Sequence, residues 1–550
     1  MSIPGRSIAA FATVMLAFFL AILDSTIVNI TLPRITEFFR TDIKSISWVV
    51  NGFALAFAVP LITASRLADQ FGRKRIFCIG LALFAATSFL VGRAPTVNLL
   101  VFFRVLQGLS ASLLVPVTLP IVLRLFPAEK SGTVIGAWAA IAGLAAASGP
   151  ALGGVISEKI AWQWIFYINI PIGLLALVLT LFLIEESRDE SASHAIDWSG
   201  MASLSAGSFG LVYALIKAND FGWSSPTILG LFALAAFSFG LFVLAERRSK
   251  EPMLPLDMLR SVPFSAGNLT LFVLGMGMMN GVFFLAFFLT QVMGKTELEA
   301  GIVVTALPLS STIFSAISGL LSDRLGSRWF TTAGMAITAA SVVTYAGLTP
   351  TASNSDIIWR LVIMGAGIGT AMAPVVGSTV RAVAADKVGI ASGVGNMTRT
   401  VGTVLGVAII VTVFTRHVER QVEWAKGEAI RLVQADDALR DQIKAPIVKR
   451  LSGVRFSASK KLATVDQTLA EVDRKKAEVL GSVPPFMKKK MAEVFESQKG
   501  EIRVLHPKLQ AIFKRRICDA FAATFKVNAV ILILGVLFAL FSEPWKRKRA

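Results

Sequence analysis

Histidine, cysteine and charge are all scarce in this chain, and each shortage closes off a class of chemistry. Only two cysteines occur among 550 residues, Cys78 inside an apolar stretch and Cys518 just ahead of the last one. With no CxxC and no Cys/His spacing, neither a disulfide framework nor a zinc site is indicated. The three histidines, His194, His417 and His506, fall outside the apolar blocks. No buried His cluster is left for a resident metal or an intramembrane catalytic centre, so neither a cofactor nor enzyme activity is expected. A GxxxxGK[ST] segment is absent, which argues against direct nucleotide coupling. Charged residues are 16% of the chain, whereas a soluble domain carries roughly a quarter.

What fills the chain instead is apolar: 54% hydrophobic residues and a mean hydropathy of +0.68. The apolar residues come in blocks near 8–32, 47–67, 76–93, 98–124, 133–156, 164–184, 198–217, 226–245, 264–291, 300–321, 330–348, 357–381, 390–415 and 520–542, fourteen in all. A block of about 20 such residues crosses the hydrocarbon core as a helix with its backbone bonded internally. An all-α membrane protein of fourteen spans is therefore expected. The segment Met1–Ser7 is short, with one Arg, and the apolar stretch behind it runs through Asp24 to Pro33 without a small-residue cleavage site. It reads as the first span, not as a leader.

The basic residues of short loops orient the bundle. Arg73-Lys74-Arg75, Arg124 with Lys130, Arg324 with Arg328, and the tail Lys546–Arg549 share one side if the span count is even. By the positive-inside rule that side, with both termini, is cytoplasmic. The net charge of +19 then reflects orientation and contact with anionic membrane lipid, not nucleic acid. The polar stretch 416–519 must be external although it is basic, because long segments cross regardless of charge. Leu462, Val465, Leu469, Val472 and Val479 keep helical spacing, as do Met487, Met491 and Val494, then Ile502, Leu505, Leu509 and Ile512, with a turn at Pro484-Pro485. A helical hairpin on the outer face is predicted, serving as a cap on the bundle or as a docking module for a periplasmic adaptor and its outer-membrane channel.

One stretch occurs twice. Ser65-Arg-Leu-Ala-Asp-Gln-Phe-Gly-Arg-Lys-Arg75 returns in weaker form as Gly319-Leu-Leu-Ser-Asp-Arg-Leu-Gly-Ser-Arg-Trp329. Each copy follows the second span of a six-span set if blocks seven and eight are an insertion. The expected organisation is 1–190 as a six-span half, 191–250 as two inserted spans, and 251–550 as a second six-span half containing the external loop. Parallel repeats of this kind place a substrate site between the halves.

The motifs sharpen this into a family resemblance. Leu23-Asp-Ser-Thr-Ile-Val-Asn-Ile-Thr-Leu-Pro33, the loop Ser65–Arg75 (with Ser65 where Gly is usual), Arg104-Val-Leu-Gln-Gly108, Gly149-Pro-Ala-Leu-Gly-Gly154 and Trp162–Gly173 resemble signatures of the major facilitator superfamily (MFS), in its fourteen-span drug–proton antiporter group. The resemblance implies the MFS fold in the cell inner (cytoplasmic) membrane. It implies proton-coupled export of small amphiphilic or drug-like molecules, with a dedicated exporter of an endogenous metabolite, lipid or siderophore as the alternative. It further implies that Arg104 senses the proton state of a nearby acid, and that Gly149-Pro150 with Gly153-Gly154 marks exporters.

Individual residues carry the rest. Asp24 is the carboxylate well inside an apolar block, and an intramembrane acid is a candidate for proton coupling. Thr31 shares its face, with Ser25 and Asn29 on an adjacent polar strip. Asn29, Gln107 and Asn169 are the candidate polar groups of a substrate cavity; Phe283, Phe284, Phe287, Phe288 and Met276 could line it as an apolar aromatic wall, although taken singly most of them read better as core or lipid-facing residues. Gly132, Gly136, Ala140, Gly143, Ala147, Pro150 and Gly154 are spaced 4, 4, 3, 4, 3 and 4, one small-residue seam on which another helix can slide. Asp69, Gly72, Arg73 and Lys74 form a candidate latch between the halves, with Asp323 and Arg324 as its weaker copy. Arg399 shares a face with Gly395, Gly402 and Gly406 and is expected to point into packed protein in a structural role.

Overall fold

The computed structural model describes residues 5–41, 43–188, 197–249, 252, 254–384, 387–436, 441–453 and 485–543. Among these, every one of the fourteen apolar blocks lies on helix. The first set comprises α1 (Gly5–Phe39), α2 (Ile43–Ala58), α3 (Leu61–Phe71), α4 (Arg73–Gly92), α5 (Val97–Arg124), α6 (Ser131–Lys159), α7 (Trp164–Tyr167) and α8 (Asn169–Leu183). A hairpin follows, α9 (Trp198–Phe221) and α10 (Pro226–Arg248), then the single turn α11 (Asp257–Arg260). The second set comprises α12 (Val262–Phe287), α13 (Glu297–Val304), α14 (Ala306–Leu325), α15 (Ser327–Tyr345), α16 (Asn354–Arg381), α17 (Val388–Gln434), α18 (Asp441–Ser452) and α19 (Pro485–Ala539). Among the described residues, eleven helices are long and apolar enough to cross a membrane, or twelve with the pair Trp48–Ala58 and Leu61–Phe71 counted as one span bent by 46°. The bend falls at Pro60, which lacks the N–H that would continue the helix.

The two sets repeat one packing plan. In the first, α4 lies on α5, α1 on α6, α2 on α5, and α8 on both α1 and α4. The second has α15 on α16, α12 on α17, α14 on α16, and α19 on both α12 and α15. Helix starts are fixed by local chemistry: Thr96 caps α5, Ser225 caps α10 ahead of Pro226, and Thr296 with Glu299 forms a capping box on α13. The hairpin α9–α10 bridges the sets. Asn219 Nδ2 donates to the Ala408 carbonyl at 3.2 Å and Trp223 Nε1 to Thr412 Oγ1 at 2.9 Å, while α9 also packs on α2.

Two helices outrun any bilayer. At about 1.5 Å per residue, the 47 residues of α17 reach about 70 Å, against a hydrocarbon core of about 30 Å. The 55-residue α19 runs beside it. Val418, Val422, Ala425, Ala429 and Val433 are buried along α17, and Arg516 pairs with Glu428 at 2.9 Å. Within the described residues the polar stretch 416–519 is thus a continuation of the last two apolar blocks as helix, with α18 packed on α17. Its predicted segment 462–479 and the Pro484 turn residue lie outside the described residues, and Pro485 begins α19.

Candidate functional site

The residues singled out on α1 and α5 meet in the interior of the first set. Asp24 and Arg104 are 0% and 1% exposed. Arg104 Nη1 stands 2.5 Å from Asp24 Oδ2 and donates to Gln107 Oε1 at 2.7 Å, while its Nε donates to the Val49 carbonyl at 3.1 Å. The second carboxylate oxygen of Asp24 accepts from Gln107 Nε2 at 3.1 Å and from Asn169 Nδ2 at 2.9 Å. Both amides also donate to Ser88 Oγ, at 2.8 and 3.3 Å. The guanidinium lies over the Phe53 ring, 4.2 Å from its centroid, and 5.5 Å from that of Phe166. A buried ion pair is tolerable only when the remaining donors and acceptors are met. Here Gln107 and Asn169, with the Val49 carbonyl of α2, bond the pair directly, and Ser88 of α4 holds the two amides.

This placement revises the expected cavity. Gln107 and Asn169 are not on an open surface; they are buried donors to Asp24. Asn29 is exposed, and its amide turns back to the carbonyls of Ser25 and Thr26 on its own helix, both at 3.4 Å. Phe284 and Phe288 are buried with Phe521, ring centroids 6.2 and 5.3 Å apart, so they belong to the core of the second set. Met276 is buried as well, under Gly406 of α17. The side chains of Phe283 and Phe287 lie outside the described residues.

The small-residue seam of α6 lies on the second set along its whole length. Gly136 meets Gly319 backbone to backbone, Thr312 Oγ1 donates to the Ala140 carbonyl at 3.1 Å, and a Cβ on Gly143 would come within 2.7 Å of Thr312 Oγ1. Gly301 faces Pro150 and Gly154 faces Leu298, with room to spare at both. Gly149 and Gly153 point the other way, to α1: no Cβ fits at Gly149 against Thr26, and one at Gly153 would lie 2.7 Å from the Ile27 carbonyl.

The repeated loop makes the second crossing between the sets. Ser65 Oγ donates to the Gly389 carbonyl at 2.6 Å, and the buried Asp69 carboxylate abuts Gly389 in the first turn of α17. A carboxylate is favoured there by the exposed N–H groups of the helix start. Arg73 holds the same carboxylate at 2.7 Å. Lys74 Nζ donates to the Leu181 carbonyl at 2.8 Å. Gly72 and Gly326, equivalent in the repeat, have φ of 113° and 91°, backbone open to glycine at little cost. The start of α4 behind Gly72 is capped by Glu186, which accepts from the Lys74 and Arg75 amides at 3.0 and 3.1 Å. The start of α15 is capped by Glu543, from Ser327 and Arg328 at 2.8 and 3.0 Å. Neither glutamate, nor Ser88, carries a spacing signal that marks it in the sequence; only the position of each glutamate just past the last block of its set does. The Asp323 side chain lies outside the described residues.

Two helical sets of one packing plan, crossing through small residues around a buried charge network, define a membrane transporter rather than an enzyme. The MFS model, described as Major Facilitator Superfamily, matches residues 14–407, and the chain belongs to that family. The tetracenomycin C resistance and export protein of Streptomyces glaucescens is 35% identical over 410 residues, 74% of this chain and 76% of that protein. The multidrug resistance protein Stp of Mycobacterium tuberculosis is 32% identical over 409 residues, covering 74% and 76%. A multidrug transporter protein of Bacillus subtilis is 26% identical over 534 residues, 97% of this chain and 92% of that one. In fold, the crystal structure of a human organic anion transporter matches with a TM-score of 0.55 at 14% identity, covering 74% of this chain and 94% of that chain.

Proposed function

We propose that the chain is a proton-coupled antiporter exporting small amphiphilic or drug-like molecules by alternating access. In this reading it has fourteen spans, two six-span halves with α9–α10 inserted. Its basic loops and both termini are cytoplasmic, and the α17–α19 extension is external. The observation that carries the proposal is the buried Asp24–Arg104 pair with its amide donors. Asp24 takes the incoming proton. Neutralised, it no longer balances Arg104, and an uncompensated guanidinium in an apolar bundle is costly. Arg104 then turns to other acceptors, which shifts α5 against α1 and loosens the crossings that α5, α3 and α6 make with α14 and α17. Asp69, Gly72, Arg73 and Lys74 hold the closed crossing, and the seam with Gly149, Pro150, Gly153 and Gly154 lets α6 rock. Release of the proton to the cytoplasm restores the pair and resets the transporter.

The test is transport of a lipophilic fluorescent dye into or out of proteoliposomes with an imposed pH gradient. Asp24→Asn is expected to abolish gradient-driven movement. Undiminished coupled transport by that variant would remove Asp24 from the mechanism.

A further inference from the structure

A second intramembrane arginine, Arg399 on α17, is held quite differently from Arg104. It lines a pocket between the two sets, walled by Leu119 and Trp138 from one side and Met372, Ser392 and Asn396 from the other. Among the described residues its side chain makes one hydrogen bond, a long one, Nη2 to Asn396 Oδ1 at 3.4 Å, and no ion pair. No Asp or Glu lines the pocket. A guanidinium that clamps structure engages several of its five N–H donors: Arg104 reaches Val49, Asp24 and Gln107, and Arg360 reaches the carbonyls of Thr344 and Asp356. Arg399 does not, so a structural role leaves most of its donors unexplained.

The neighbouring Ser392 is an independent sign. It is 5% exposed, lines the same pocket, and its Oγ has no hydrogen-bond partner among the described residues. A buried hydroxyl without a partner is uncommon and calls for a reason. Opposite both stands Trp138, its ring fixed by stacking on Phe18 at 4.8 Å and by its Nε1 donating to Thr118 at 3.0 Å. A cation with spare donors, a spare hydroxyl and a rigid aromatic wall make a site for an organic anion, since a bare inorganic ion would use the first two and leave the apolar wall without a partner.

Resting on the export reading above, we propose that this pocket receives the acidic group of the exported molecule. Arg399 and Ser392 hold a carboxylate, or an ionised enol or phenol of the same charge, and Trp138 with Leu119 takes the adjoining apolar ring. The substrates are then amphiphilic organic acids, and the pocket lies where both sets contribute to it.

Calorimetric titration of the purified full-length protein in lipid nanodiscs, with naphthoate and with the uncharged, equally shaped naphthamide, tests this without any proton gradient. Wild type is expected to bind naphthoate about tenfold more tightly than naphthamide, as a charge-assisted bidentate contact warrants. Arg399→Gln is expected to erase the preference, Arg399→Lys to retain part of it, and Ser392→Ala to weaken naphthoate about threefold, the scale of one lost hydrogen bond. Equal affinities in wild type, a preference that survives in Arg399→Gln, or binding of chloride without binding of naphthoate would each overturn the proposal. The wild-type pair decides even if a variant does not fold. Failure of the export reading shows separately, as undiminished coupled dye transport by Asp24→Asn.

Discussion

The two copies of the repeated loop cross opposite partners in the same way, and they differ in what they carry. Ser65 lies on Gly389 and Gly393 of α17, and its counterpart Gly319 lies on Gly132 and Gly136 of α6. The first crossing has a hydroxyl bond and a buried carboxylate at a helix start; the second brings backbone against backbone at Gly319 and Gly136, with Thr312 Oγ1 donating to the Ala140 carbonyl further along the same two helices. The cations deeper in each set differ likewise. Arg104 is locked to Asp24, while Arg399 faces a pocket between the sets. One scaffold used twice thus holds one buried arginine in an ion pair and turns the other toward a pocket.

The sharpest break of that comparison comes from removing each arginine. Arg104→Leu leaves the Asp24 carboxylate buried without its counter-charge and is expected to cost about 3–5 kcal/mol of stability. Arg399→Leu removes a cation that pairs with no acid among the described residues and is expected to change stability by no more than about 0.5 kcal/mol, or to raise it. Thermal unfolding of the two variants in one detergent measures both. Equal losses would make Arg399 a clamp like Arg104 and end the distinction.

Much of this contrast was legible before any coordinates. Asp24 and Arg104 stand out because a charge in an apolar block has few tolerable solutions, and pairing is the commonest. The α6 seam was readable from small residues at helical spacing, which predict close approach whichever helix arrives. Other features leave no such trace. Ser88 is an ordinary small residue in an apolar block until Gln107 and Asn169 converge on it. Phe284 and Phe288 read as core, lipid-facing or cavity residues, because composition does not say which face is occupied. Hydropathy ended block thirteen near 415, yet the helix continues to Gln434, since polarity stops a membrane span without stopping a helix. Glu186 and Glu543 look like loop charges; what they cap comes from chain 216 residues away in one case, as at Ser327, and 112 in the other, as at Lys74.

The adjacent glycines of α6 give a smaller test with a built-in control. A Cβ at Gly153 would come 2.7 Å from the Ile27 carbonyl, whereas one at Gly154 meets nothing nearer than Leu298 at 3.8 Å. Gly153→Ala is expected to push α1 and α6 apart at a cost of about 1–3 kcal/mol. Gly154→Ala is expected to stay within about 0.5 kcal/mol of wild type and to transport normally. The second set offers a comparable close approach: Gly406 lies against Met276 of α12, at 2.6 Å for a Cβ, and Gly406→Ala should cost as much as Gly153→Ala. Loss of transport in Gly154→Ala without loss of stability would show that this glycine moves in the cycle.

The smallest effect separates architecture from mechanism in the repeated loops themselves. Glu186 and Glu543 each cap the helix that follows a positive-φ glycine, through two backbone amides apiece. Glu186→Gln and Glu543→Gln should each cost about 1 kcal/mol, the usual worth of a charged cap at a helix start, and the losses should add because the two sites share no partner. Equal stability losses need not mean equal transport. Glu186 sets the geometry of the turn that carries Arg73, and Arg73 holds Asp69 against α17; Ser327 in the other turn is bonded to Arg381 within its own set. The Glu186 variant should therefore slow dye transport while the Glu543 variant leaves it near wild type. The same loss of transport in both would mean that the second crossing opens and closes with the first.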